Sequence, residues 1–428
     1  MAITYLKRGK TVDEKAQADA KVQETVKNIL EDIRDRKDEA VRELSDKFDK
    51  WTPENFRLSD EQIQEIMDSL PEQVIEDIKF AQTQVRNFAK AQRASMHDIE
   101  VETLPGVFLG HKNIPISRVG CYVPGGRYAH IASAMMTITT AKAAGVKHIT
   151  ACSPPSGADG IPPAILFAMD LCGADVILNM GGVQGVAAMA KGLFGLPRAD
   201  VLVGPGNQFV AEAKRILFGE VGIDMVAGPT DSLVLADATA DAAIVAADLV
   251  GQAEHGPNSP VWLVTDCRAL AEDVIARVPA LIAALPEMNS TSAKAAWRDY
   301  AEVVLCADRA EMAKVSDTYA PEHLTVQCAD LDWWLAQLTT YGSLFLGEET
   351  TVAFGDKAAG PNHVLPTSGA ARYTGGLSVG KFMKTVTWQR ATRDAARPVA
   401  EATARISRIE GMEGHARTAD IRLAKYFP

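Results

Sequence analysis

The chain has 428 residues, 47% hydrophobic and 23% charged, with 44 Lys and Arg against 55 Asp and Glu and a net charge of −11. That balance belongs to a folded globular chain and excludes collagen-like, disordered and mucin-like classes, which lack the apolar area to offset chain entropy. An acidic chain with no dense Lys/Arg run is not expected to bind nucleic acid. No apolar run approaches the roughly 20 residues of a membrane span, and no apolar core of a leader follows the basic residues near the start. A cytoplasmic protein with no membrane partner is therefore expected. The six cysteines (Cys121, Cys152, Cys172, Cys267, Cys306 and Cys328) form no close pairs and sit in apolar contexts. They read as buried reduced thiols.

In chain order, Val22, Val26, Ile29, Leu30, Ile33, Val41, Leu44 and Phe48 recur at helical spacing within 11–50. A second helix opens at Ser59, where Gln62 completes a capping box. A third starts at Pro71, with Val74, Ile75, Ile78, Val85 and Phe88 on its stripe. From about 117 short apolar runs alternate with helical stretches. Strands are predicted at 117–126, 147–154, 174–182 and 199–207, and helices at 131–144, 162–172, 183–192 and 208–219. Such βα units imply a parallel sheet covered by helices, its strands apolar on both faces. A further α/β region follows, with strands at 231–237, 260–266, 301–308 and 343–347 and helices around 239–254 and 268–283. The last 60 residues are less apolar and read as a tail or small terminal domain.

Three strand ends finish in glycine, at VPGG (123–126), NMGG (179–182) and VGPGN (203–207). Ligands of open α/β sheets sit outside such ends, against helix N-termini, where glycine lets backbone N–H groups approach an anion. None has the full GxGxxG spacing, so ordinary βα turns remain the alternative. Two histidines follow a glutamate directly, in QAEHGPNSP (252–260) and APEHLTV (320–326). Neighbouring Glu and His can move protons near neutral pH, although such pairs also occur on helix surfaces. No HExxH or paired-cysteine pattern occurs. Gln252 and His255, three apart, would share a helix face. Asp356 and His415 could complete a metal site with them, which spacing alone does not establish.

Taken in order, GCYVPGG, NMGGVQGVAAMA, VGPGNQFVAEAKR, QAEHGP, APEHL, GDKAAGPNHVLPTSG and EGMEGHA resemble the histidinol dehydrogenase family over nearly the whole chain. The resemblance implies an α/β fold of two Rossmann-like parallel-sheet domains with helical N-terminal and C-terminal extensions. The expected boundaries are 1–30 (helical extension), 31–115 plus 231–366 (first domain), 116–230 (second, nucleotide-binding-like domain) and 367–428 (dimerisation tail). It implies an enzyme that takes an alcohol through an aldehyde to a carboxylate with two NAD and one Zn2+. It also implies a homodimer in which the C-terminal segment of one subunit completes the other's site. Matched residue by residue, the zinc ligands resemble Gln252, His255, Asp356 and His415. His323 resembles the general base, and Glu322 the group that activates water in the second step. Tyr122, Gln184 and Asn207 match NAD contacts. Thr230 and Glu410 match substrate contacts, and so do His323 and the four metal-ligand positions.

The substrate side departs from the family pattern. RYAHIASAMM (127–136) replaces a small, Pro-containing segment, Thr230-Asp231 stands for Ser-Glu, Gly256 for Asp, and Lys381 for an Asp before Phe382. Carboxylates are lost and cationic or ionisable groups gained, which favours a small anionic alcohol over the histidinol cation. Arg127, His130, Arg372 and Lys381 are the candidates for its anionic end. The pattern is similar to that of paralogues oxidising 2,3-dihydroxypropane-1-sulfonate to 3-sulfolactate. The alternatives are histidinol oxidation itself and a binding protein that kept the fold without the chemistry.

Overall fold

The computed structural model describes residues 3–10, 13–125, 128–225 and 228–428. The chain divides into two compact units, one of 1–91 with 116–382 and the other of 92–115 with 383–428.

The larger unit holds two sheets. The first has five parallel strands, in the spatial order Val176–Asn179, His148–Ser153, Arg118–Tyr122, Val201–Val203 and Gly222–Ile223. The strand that comes first in the chain lies in the middle. The topology therefore switches direction between Arg118–Tyr122 and Val201–Val203, and a crevice opens beyond their carboxyl ends. The second sheet has six strands, ordered Thr4–Lys7, Glu302–Leu305, Val261–Thr265, Ser232–Ala236, His323–Gln327 and Ser343–Leu346. All are parallel except the antiparallel Thr4–Lys7 edge. The fold is thus the expected α/β class with two parallel sheets.

Eight strands and six helices expected from 117 to 347 form close to their predicted spans. The Ser59 hydroxyl accepts from the Gln62 N–H, and the Gln62 side chain accepts from the Ser59 N–H. The strand His323–Gln327 was not foreseen, because its first residue drew attention as half of a Glu-His pair. It is buried throughout and pairs His323 with Ser232.

The N-terminal helices do not join the 231–366 region as the expected boundaries had them. Val22, Val26, Leu30, Ile33, Val41 and Leu44 share one core with Val176, Leu178, Val186 and Leu217 of the first sheet's layer. Backbone bonds between Leu58 and Ile177 (3.0 Å) and between Asn179 and Phe56 (2.8 Å) fix the following segment to that sheet's edge. An apolar stripe is buried by whatever layer it meets, and its spacing does not name that layer.

In the smaller unit, Ile99–Leu104, Val107–Pro115 and Met383–Ala391 make an antiparallel sheet, with Val107–Pro115 in the middle. The helices Ala396–Ile409 and Glu413–Tyr426 pack on each other through Ala400, Ala404 and Ala419. Residues 92–115 thus pair with the C-terminal segment instead of the 231–366 region, and 367–382 belong to the larger unit. All six cysteines are free and five are buried. No helix of the described residues is long and apolar enough to cross a membrane.

One buried ion pair holds the glycine loop at the switch point. Lys214, 2% exposed, pairs with the buried Asp224 and donates to the Gly204 carbonyl at 2.8 Å. Asp224 in turn accepts from the N–H groups of Gly204 (2.8 Å) and Met225 (2.7 Å). Gly204 has φ +117°, and a Cβ there would strike the Tyr122 carbonyl. Lys214→Met strands the Asp224 charge. It should cost about 3–5 kcal/mol of stability, read from the midpoint of urea unfolding.

Candidate active site

A cleft of about 1100 Å³ opens between the two sheets of the larger unit. The first sheet meets it with its carboxyl ends, through Tyr122–Gly125, Gly182–Gln184 and Pro205–Asn207. The second sheet meets it with its amino ends, through Thr230, His255–Ser259 and Glu322–His323. Asp356 and Lys357, at the end of the helix Val352–Lys357, add a wall.

On the first side, the Tyr122 hydroxyl accepts from the Gly182 N–H at 3.1 Å. Gln184 donates through Nε2 to Asp49 at 2.9 Å. Burial holds the Asp49 carboxyl above its usual range, against the pull of that amide. Asn207 caps the helix Gln208–Leu217, its Oδ1 accepting from Phe209 (3.0 Å) and Val210 (3.1 Å). Two helix N-termini, those of Gly182–Lys191 and Gln208–Leu217, therefore point at this end of the cleft.

On the second side, Glu322 and His323 are 5% and 3% exposed. Glu322 Oε2 lies 3.6 Å from His323 Nδ1, and Asp356 Oδ1 lies 3.5 Å from His323 Nε2. His323 Nε2 is buried without a hydrogen-bond partner among the described residues. Buried Asp231 fixes the couple. Its carboxylate accepts from the Glu322 N–H (2.7 Å) and the Ser368 N–H (2.9 Å), and its carbonyl accepts from the His323 N–H (3.2 Å). Its own N–H donates to Glu322 Oε2 at 3.2 Å. Burial pushes the Glu322 carboxyl up to about 8. Burial opposes protonation of His323, but Glu322, Asp356 and Asp231 outweigh it and raise the imidazole to about 9. Both directions keep a proton on the couple at neutral pH. A group that must accept a proton there does so by first giving one up.

Three further histidines face the same space. Burial, the largest cause, lowers His130, His255 and His363 each to about 4, so all are neutral at pH 7. Neutral imidazole is the form that ligates metals and accepts protons. His363 Nε2 lies 2.8 Å from Ser133 Oγ, which ties the 362–365 segment to the helix Ile131–Ala144.

Gln252, His255 and Asp356 offer side-chain oxygen and imidazole donors of the kinds that divalent metals take. The Gln252 side-chain oxygen is buried with no hydrogen-bond partner among the described residues. His255 follows three residues on, and Asp356 lines the same cleft. Among the described residues no three of His, Cys, Asp and Glu are arranged to hold a metal by themselves. The set thus needs the amide oxygen and a further donor.

The structure brings together Tyr122, His130, Gln184, Asn207, Thr230, His255, Glu322, His323 and Asp356 in one cleft. His415 and Glu410 are exposed residues of the smaller unit, in the first turn of its last helix and at the end of the helix before it. Arg127 lies outside the described residues. Arg372 and Lys381, expected at the anionic end of the substrate, do not line the cleft. Arg372 donates to the Thr318 and Gly369 carbonyls, and Lys381 to Thr374 Oγ1 at 2.6 Å. Their place in a motif carried no information on side-chain direction. Asp49, Lys357 and His363 have no part in the expectations from sequence, and Asp231 enters them only as the residue that stands for a Glu on the substrate side. Lys357 and His363 stood in the same GDKAAGPNH segment as Asp356, which was the available signal.

The histidinol dehydrogenase family pattern matches residues 12–423. Sulfopropanediol 3-dehydrogenase of Ruegeria pomeroyi is 64% identical over all of this chain and 98% of its own length. A histidinol dehydrogenase of Methanothermobacter thermautotrophicus is 40% identical over 93% of this chain and 92% of its own. The crystal structure of histidinol dehydrogenase from Elizabethkingia anophelis superposes with a TM-score of 0.88 at 33% identity, covering 94% of this chain and 92% of that one. The chain belongs to the histidinol dehydrogenase family.

Asp231→Asn turns one of the carboxylate's two acceptors into a donor that faces a backbone N–H. A buried donor without a partner costs about 1–3 kcal/mol. The variant should lose that much in chemical unfolding. It should also lose turnover, because the Glu322–His323 couple is no longer held.

Proposed function

We propose that the chain is a zinc- and NAD-dependent dehydrogenase that oxidises the primary alcohol of 2,3-dihydroxypropane-1-sulfonate through the aldehyde to 3-sulfolactate, using two NAD. The observation that carries the dehydrogenase reading is the buried Glu322–His323 couple beside Asp356 on the floor of the cleft. The choice of substrate rests on the full-length identity to sulfopropanediol 3-dehydrogenase and on the carboxylates lost from the substrate side. The reading includes a cytoplasmic homodimer, with His415 of a second subunit as the remaining metal donor and Glu410 beside it as a substrate contact.

Gln252, His255, Asp356 and that histidine would hold the metal. Bound zinc would polarise the substrate oxygen, and NAD is the hydride acceptor of both oxidations. The protein's own groups do the rest. His323 Nε2 is buried without a hydrogen-bond partner among the described residues, and once the imidazole has given up the proton that Glu322 and Asp356 hold on it, this nitrogen is placed to take the hydroxyl proton as the alcohol becomes an aldehyde. Its other nitrogen lies 3.4 Å from the Asp231 carbonyl, which orients the ring. In the second oxidation Glu322 takes a proton from the water that adds to the aldehyde. The deprotonated hydrate then loses a second hydride to NAD, and the carboxylic acid so formed gives its remaining proton to water and leaves as the carboxylate. Tyr122, Gln184 and Asn207 bind the dinucleotide end, where the helix N-termini favour its pyrophosphate. Thr230 and His130 contact the substrate.

A panel of sulfonate, phosphate and histidinol alcohols, scored for NADH formed per substrate consumed, tests the reading. About two NADH from the sulfonate is expected. Brisk turnover of histidinol with none of the sulfonate assigns the protein to histidinol oxidation. NAD binding with no turnover of any alcohol after zinc is supplied marks a binding protein.

His323→Ala should slow alcohol oxidation by about 10²–10⁴-fold. Glu322→Gln should impair oxidation of the supplied aldehyde more than that of the alcohol, and equal losses would refute the division of labour. Dialysis against a strong chelator should abolish turnover. Activity should return in proportion to zinc content measured by atomic absorption.

A further inference from the structure

We propose that Lys357 is the counter-charge that selects the anionic end of the substrate, an inference that rests on the functional reading above. Lys357 is the one lysine or arginine among the described residues that lines the cleft. It ends the helix Val352–Lys357 and directly follows Asp356, so the cation and the carboxylate proposed to hold the metal enter the site from one turn. No carboxylate pairs with it among the described residues, although the chain pairs many of its other cations. It lines the cleft together with His130, His255 and His363, and its charge is felt at all three imidazoles.

The other candidates for this task are less well placed. Arg372 and Lys381 are engaged with backbone and hydroxyl groups elsewhere. His130 is neutral and supplies a hydrogen bond, not a charge. A sulfonate carries one negative charge over three oxygens, so it is held by one cation and a few neutral donors. Lys357 and His130, which line the same cleft, are the charge and the neutral donor available for this. The same ammonium repels a cationic amino alcohol, so one side chain both admits the sulfonate and rejects histidinol. The ordinary role of a lysine in a last helical turn is to offset the helix dipole. That role alone would leave ligand affinity untouched when the charge is removed.

The test uses the full-length zinc enzyme with Lys357→Met, Lys357→Arg and Arg127→Ala. Binding of 3-sulfolactate is measured by calorimetry without turnover. KM for the sulfonate, KM for NAD and zinc content are measured alongside. Lys357→Met should weaken sulfolactate binding and raise the sulfonate KM by about 10–100-fold, the value of a charge-assisted hydrogen bond. Zinc content and the NAD KM should stay constant, and Lys357→Arg should recover most of the loss. Unchanged sulfolactate affinity in Lys357→Met overturns the inference. So does an equal loss of NAD affinity, which would put the ammonium on the dinucleotide phosphates, or a full effect from Arg127→Ala alone. If the wild-type protein oxidises a phosphate alcohol and not the sulfonate, with the same dependence on Lys357, the substrate reading falls and the counter-charge stands. A wild-type preference for histidinol overturns both.

Discussion

Asp231 and Glu322 are both buried, and each accepts a hydrogen bond from the other's backbone N–H. This reciprocal clasp joins the starts of two neighbouring strands in the middle of the second sheet, Ser232–Ala236 and His323–Gln327. It keeps Glu322 and His323 at the lip of the sheet, where a side chain can reach the cleft while its backbone stays in the ladder. The second carboxylate oxygen of Asp231 holds Ser368, so the clasp also anchors the segment after the cleft-lining Leu365. Buried acids are costly unless every lone pair has a donor. Here the donors are main-chain amides, which cannot swing away.

The two sheets approach the cleft in opposite senses. The first presents carboxyl ends, glycine turns and helix N-termini, the usual setting for an anionic cofactor in an open α/β sheet. The second presents amino ends, and with them Glu322 and His323, the proposed proton-transferring groups. The division matches the proposed reaction. One wall binds by main-chain geometry, and the other orients proton-transferring groups.

The parallel strands were legible because each is a short continuous apolar run between turn residues. Leu178, Val203 and Leu235 are buried because both faces of their sheets are covered. The antiparallel sheet of 99–115 and 383–391 was not legible. Its outer strands Ile99–Leu104 and Met383–Ala391 are largely exposed, and the second of them pairs with Val107–Pro115 across separations such as the 272 positions between Asn113 and Thr385, which no local pattern bridges. At the site, the resemblance identified residues whose backbone positions are set by motifs, such as Tyr122, Asn207 and His323. It did not identify Asp231, whose role lies in hydrogen bonds to partners 91 and 137 positions away. Charged residues near the substrate end were the least legible. Whether Arg372 or Lys357 turns inward depends on the carbonyls and hydroxyls within reach, and sequence order does not reveal those.

The walls of the cleft are drawn from residues as far apart as Thr25 and Leu365. During synthesis the residues of the first sheet emerge before Glu322, His323 and Asp356, so the wall of glycine turns can form with nothing yet opposite it. Contacts across such long separations form late, after the loops between them have closed. Ligands that need both walls therefore stabilise only the finished fold. They act as a seal on folding and cannot serve as its nucleus.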